Sequence, residues 1–136
     1  MRGLSFSAAM LAISCLAGCA TADSIKSDPV DAGIARSFSA PYDSTVAATM
    51  STLATLKVAM HEEHDEAYGH VVMVNTHVSA FSWGEVGRVI IKKSATAPTT
   101  VVVDWSKRDK LQITGTGADD FSSELFGGID ARLASK

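Results

Sequence analysis

This chain predicts an α+β fold: a single antiparallel sheet of three to five strands with two helices packed on one face. Three observations carry that expectation. Val46, Met50, Leu53 and Leu56 fall on one face at helical spacing, backed by Ala47 and Ala54. Three β-rich runs follow, at Val71–Val74, Val86–Lys93 and Thr100–Trp105. Phe121, Leu125, Ile129 and Leu133 then recur at i+4, with Phe126 beside them. Helices segregated from a block of strands mean α+β, and one sheet face is enough to bury both apolar stripes.

In chain order, Arg36–Ala40 reads as a short first strand with Phe38 turned inward, stopped by Pro41. Asp43 or Ser44 can cap the helix after it, about 14 residues long. Thr45, Thr49, Ser51, Thr52 and Thr55 are expected to face away from the core or fill the flanks, and their weak helix propensity leaves packing to hold the segment. Lys57–Met60 fits either an extension of the helix or a short strand. His61–Glu66 reads as an exposed turn ending at Tyr68-Gly69, with Gly69 opening the next strand. The run from Val71 extends through Val78 to Phe81, and Trp83-Gly84-Glu85 is a turn or bulge signal. Ala95–Thr99, around Pro98, is a loop, and Lys107-Arg108-Asp109-Lys110 a charged turn. Leu111–Thr114 alternates as a fourth short strand would, and Gly115-Thr116-Gly117 leads into the closing helix. Asp119 or Asp120 suits that helix's N-terminus, and Arg132 and Lys136 suit its C-terminal end. Gly127-Gly128 costs about 1–2 kcal/mol against alanine, a cost that close approach to the sheet would explain.

Composition narrows the function classes. The 136 residues allow one domain, and charged residues at 20% with apolar residues at 46% match ordinary globular usage. The formal charge of −3 argues against nucleic acid, which wants a basic face, and no polybasic patch awaits anionic lipid. Cys15 and Cys19 are the two cysteines, and the body beyond Cys19 has none, so neither a disulfide nor a thiolate metal site can form within it.

The N-terminus reads as a leader. Met1-Arg2-Gly3 is a minimal positive region, and Leu4–Leu16 is an apolar run of about 13 residues. That length lies within the 7–15 of a signal peptide and well short of the roughly 20 residues a membrane span needs. A plain secretory signal cut near Ala20 or Ala22 and a buried N-terminal helix are the competing readings. Residues 1–18 are assigned to the leader, 19–35 to a Ser/Asp/Ala-rich tether with Pro29 and Gly33, and 36–136 to the α+β domain. Such a tether would reach about 20 Å on average.

Candidate chemistry is sparse. His61 and His64 stand at i and i+3, whereas a zinc protease His-Glu-x-x-His motif needs i and i+4, where Asp65 stands. His61, Glu62 and His64 are the weak candidates for a nonspecific or regulatory metal site, and a solvated polar turn is the better account of them. His70 and His77 are an odd number of residues apart, which puts them on opposite faces of one strand. Gly-x-Ser-x-Gly is absent, and Gly115-Thr116-Gly117 is not a dinucleotide fingerprint. Trp83 and Trp105 suit core or sheet-edge positions better than sugar-stacking platforms. No catalytic residue and no cofactor is assigned.

Leu16-Ala17-Gly18-Cys19 resembles the bacterial lipoprotein signal at all four positions. The resemblance implies diacylglyceryl transfer to the Cys19 sulfur, cleavage before Cys19 and acylation of the new amino group. Two or three acyl chains make a stable anchor where one would not. Ala20, in place of an aspartate, points by the same resemblance to the outer membrane of a Gram-negative cell. Together with Pro41-Tyr42-Asp43 at a helix start, the strand block and the closing helix, the lipobox looks like a family of small bacterial outer-membrane lipoproteins of unknown function. In element order, residues 36–134 distantly resemble the helix-grip modules of BamC-type assembly lipoproteins, whose repeated modules this chain lacks. The expectation is a non-enzymatic, lipid-anchored envelope protein facing the periplasm and contacting an envelope protein partner, with no nucleic acid. The alternative is a ligand- or metal-binding module using the groove between helix and sheet or the His61/His64 turn.

Overall fold

The computed structural model describes residues 21–77, 84–108 and 113–136. Its elements are α1 (Ala22–Lys26), β1 (Ile34–Phe38), α2 (Tyr42–Leu53), β2 (Ala59–Glu66), β3 (Gly69–Asn75), β4 (Glu85–Lys92), β5 (Thr99–Lys107) and α3 (Ala118–Ala134). The strands form one five-stranded sheet in the order β1-β5-β4-β3-β2, with every pairing antiparallel. Strands β2 to β5 are a meander. β1 closes the other edge beside β5, so α2 carries the chain from one edge of the sheet to the other.

Helices α2 and α3 cover one face, as the sequence predicts. Phe38, Val72, Val74, Val89, Ile91, Val101, Val103 and Trp105 meet Leu53 of α2 and Phe121, Leu125, Phe126 and Ile129 of α3. Trp105 stacks on Phe121 with ring centroids 4.0 Å apart and donates its indole N–H to the Thr116 carbonyl at 3.0 Å. A buried tryptophan needs such a partner for its one polar atom.

The buried side of α2 differs from the expected one. Thr45, Thr49 and Thr52 are buried with Ala48 and Leu53, while Val46, Met50 and Leu56 pack at the margin of the core. Each threonine hydroxyl donates to the carbonyl one turn back: Thr45 to Pro41 at 3.0 Å, Thr49 to Thr45 at 2.8 Å and Thr52 to Ala48 at 2.7 Å. With the hydroxyl satisfied on its own helix, the threonine presents a small methyl to the core. That small surface lets the helices approach closely. A Cβ at Gly128 would overlap the Thr52 methyl, whereas one at Gly127 would meet nothing. The glycine in α3 therefore accommodates the neighbouring helix, not the sheet as expected. Neither helix takes a side-chain cap: Pro41 and Gly117 occupy the cap positions, and Asp43, Asp119 and Asp120 lie in first turns, where their charge favours the helix dipole.

Two further expectations are corrected. The His61–Glu66 run is not a turn. It lies within β2, an edge strand paired with β3 and bulged between Met60 and Glu62. Its alternation is masked because almost every side chain is polar, and a charged, bulged strand suits an unpaired sheet edge. The described part of the expected tether, residues 21–35, is folded. Thr21 caps α1 through a reciprocal hydrogen-bond pair with Ser24, and Ile25 is buried against Met73 and Val86 on the sheet's second face. Val30 packs with Val71, Ile90 and Val102, and Gly33, at φ 104°, turns the chain into β1. A Cβ at Gly33 would strike the Val103 carbonyl.

The strand expected to run through to Phe81 ends at Asn75. Of the expected Leu111–Thr114 strand, Ile113 and Thr114 are described, and neither is in a strand. Val78, Phe81, Trp83, Asp109, Lys110, Leu111 and Gln112 lie outside the described residues, as does the whole 1–18 leader with Cys19.

Candidate functional site

Two polar constellations stand out, one on each face of the sheet. On the face opposite α2 and α3, β4 reads Val86-Gly87-Arg88-Val89-Ile90 and places Arg88 in the middle of an apolar surface. Arg88 is 3% exposed. Its guanidinium donates to the carbonyls of Lys26 (3.3 Å), Asp28 (3.1 Å from both terminal nitrogens) and Pro29 (2.9 Å). It also pairs with Asp104 Oδ2 at 3.2 Å, directly across the ladder on β5. A planar fork with five donors can hold several carbonyls at once, which an ammonium group cannot do in the same geometry. Burial pushes the Asp104 carboxyl above the usual carboxylate range. The charge of Arg88 works against that shift, and Asp28 adds to it. This constellation fastens the segment between α1 and β1 to the sheet. Lys92 extends it by pairing with Asp31 at 2.6 Å.

The second constellation surrounds His70, which is buried on the helix-covered face at the β2–β3 hairpin. Its Nδ1 lies 2.8 Å from Asp65 Oδ1, and its Nε2 lies 3.0 Å from Glu63 Oε1. The Glu63 contact lacks hydrogen-bond alignment, so it is a close approach and not a hydrogen bond. Tyr42, at the start of α2, lies close by. Burial raises its phenol pKa, helped by Asp65 and Asp43 and opposed by a hydrogen bond with the His70 backbone.

The metal candidates separate along β2. Glu62 and His64 point to the same face. Glu62 is engaged by Lys26 from α1, which holds its carboxyl below the usual range and is itself raised by the carboxylate. His64 sits 3.8 Å from Glu62 and 3.3 Å from Glu66, beside a small depression of about 180 Å³. His61 occupies the bulge and has no cross-strand partner. Among the described residues, no group of three or more His, Cys, Asp or Glu is placed to hold a metal ion. His77 lies beyond the end of β3, so the two-faces argument for His70 and His77 does not apply. An open depression of about 590 Å³ lies between β1, the start of α2 and the end of α3, where Arg36 pairs with Asp130. The helix–sheet interface itself is filled by the core.

Sequence reasoning missed Arg88 and Asp104, and it weighed His70 without the Asp65 partner that the β2–β3 hairpin gives it. One signal was available: a cation interrupts one β-rich run and an acid interrupts the next, which is how a cross-strand buried pair looks in sequence. Compared with known proteins, the chain matches no family model and no curated sequence.

Proposed function

We propose that this protein is a non-enzymatic, lipid-anchored component of a bacterial envelope, held in the outer membrane and presenting a small α+β module to a protein partner in the periplasm. The observation that carries the reading is Leu16-Ala17-Gly18-Cys19 ahead of a body with no other cysteine. The one thiol left after cleavage before Cys19 finds its use in thioether lipidation. The engagement of the polar clusters also supports it. Arg88 is spent on main-chain carbonyls and Asp104, Glu62 on Lys26, and the His70 Nδ1 on Asp65, which are structural uses.

The test is expression of the full chain in a Gram-negative host with a clickable fatty acid. Wild type should incorporate the label and sediment with outer membranes. Cys19→Ser should do neither, while retaining its fold by circular dichroism. Membrane sedimentation of Cys19→Ser undiminished from wild type would retire the lipoprotein reading. Envelope cross-linking should then trap the same partner from wild type and from His61→Ala/His64→Ala. Loss of that partner in the double variant, with a zinc-dependent melting shift in wild type, would favour the metal-binding alternative.

A further inference from the structure

We propose that the end of the sheet from which Thr21 emerges is seated against the phospholipid headgroups that hold the Cys19 lipid, so that the module stands on the membrane in one orientation. The proposal rests on the lipoprotein reading and adds the membrane-facing surface to it.

From Cys19 to Thr21 the backbone spans at most about 7 Å. Thr21 is already the cap of α1, and α1 is already on the sheet. The folded segment has no slack to lend, because it tracks β4 step by step. Ile25 and Ala22 pack in the cluster of Val86 and Met73, the carbonyls of Lys26, Asp28 and Pro29 lie on Arg88, Val30 packs in the cluster of Ile90, Val71 and Val102, and Asp31 pairs with Lys92. The chain therefore starts at the Val86 end of β4 and moves away from it.

Register then identifies what shares that end. Val86 pairs with Asn75 at the end of β3 and with Ser106 near the end of β5, and Asn75 pairs with Ala59 at the start of β2. Exposed here are Lys57 and Met60. Ile113 is 94% exposed, in the connection that leaves β5 and returns to the core at Thr116 beside Trp105. Removing that side chain from water at an interfacial surface is favourable. Charge is not the driving force: Asp23 lies in the first turn of α1, Asp119 and Asp120 in the first turn of α3, and Glu85 faces Lys107 across the ladder, so acids and bases mix here. The short connection keeps this end of the sheet next to the lipid, and apolar contact with the interface sets the orientation. The far end of the sheet, with Tyr68, Lys93 and the start of β5 at Thr99, is then directed into the periplasm.

The experiment uses full-length protein processed in a Gram-negative host, purified with its lipid and reconstituted into phosphatidylethanolamine/phosphatidylglycerol vesicles carrying a headgroup nitroxide. The mature body has no cysteine beyond Cys19, so Ile113→Cys and Lys93→Cys each give one fluorophore site, both exposed. Intact mass is read first. Protein without acyl groups would overturn the lipoprotein reading and this proposal together. With acylated protein, the Ile113 label should be quenched several-fold more strongly than the Lys93 label. Equal quenching at the two sites would overturn the seated orientation alone. A Gly/Ser spacer of about 15 residues between Ala20 and Thr21, with a reach of about 20 Å, should erase the contrast while the protein stays on vesicles. A contrast undiminished by the spacer would contradict the short connection as its cause.

Discussion

The two faces of the sheet are covered by different means. On one face, two helices bring Leu53, Phe121, Leu125 and Ile129 onto valines and isoleucines, and the buried threonines of α2 satisfy their hydroxyls on their own helix. On the other, a short helix and a segment of turns are held by one buried guanidinium reading carbonyls, with small apolar contacts on either side of it. The first cover is non-directional and cumulative, so it tolerates losses in proportion to volume. The second hangs on a directional contact, so a single substitution removes most of it.

Arg88→Ala breaks this comparison most severely. It leaves Asp104 and three carbonyls without their donor, and loss of one partner of a buried pair costs about 3–5 kcal/mol. Chemical denaturation reads the cost. Limited proteolysis should show new cleavage between residues 21 and 33, with the sheet and long helices intact. Leu125→Ala, on the opposite cover, should cost about 2–5 kcal/mol without selective cleavage in that segment. If both variants open the N-terminal segment equally, the two covers are not independent.

Gly128→Ala sharpens the helix side. The new methyl collides with the Thr52 methyl, at a cost of about 1–3 kcal/mol. In a Thr52→Ser background that methyl is gone, and Gly128→Ala should become neutral or stabilising by up to about 1 kcal/mol through helix propensity. Additivity of the two substitutions in a double-mutant cycle would contradict the close approach.

Asp104 gives the second face a pH signature. Its carboxyl is held above the usual range in the folded state, so the folded state binds its proton more tightly than the unfolded chain. Stability from this group is greatest below the ordinary aspartate pKa and falls as pH rises from there through the elevated value. Denaturation midpoints measured across that window should show a shallower decline with pH in Asp104→Asn than in wild type. The smallest effect belongs to the exposed Lys26–Glu62 pair. Lys26→Ala should leave the midpoint within experimental error, at low and high salt alike.

The contrast also explains what the sequence could reveal. The sheet, both long helices and the Phe121/Leu125/Ile129 stripe were legible because apolar periodicity encodes burial directly. The threonine side of α2 was not, because Thr45, Thr49 and Thr52 hide their polarity in bonds to their own helix. β2 was not, because an edge strand with both surfaces polar carries no alternation. Residues 21–33 were read as tether because the atoms that hold them are backbone carbonyls, which every residue has. Only Arg88 and Asp104, each alone in an apolar run, marked the place where that segment would be received.

Amide hydrogen exchange over residues 21–33 tests most directly whether this segment belongs to the fold. The amides of Ile25, Ser27, Asp28 and Ala32 donate to Thr21, Asp23, Ile25 and Pro29, at 2.9–3.3 Å. They should exchange far more slowly than an unstructured chain in wild type, and at unstructured rates in Arg88→Ala. Unstructured rates in wild type, with β4 and β5 protected, would mean a flexible tether after all and would contradict the account.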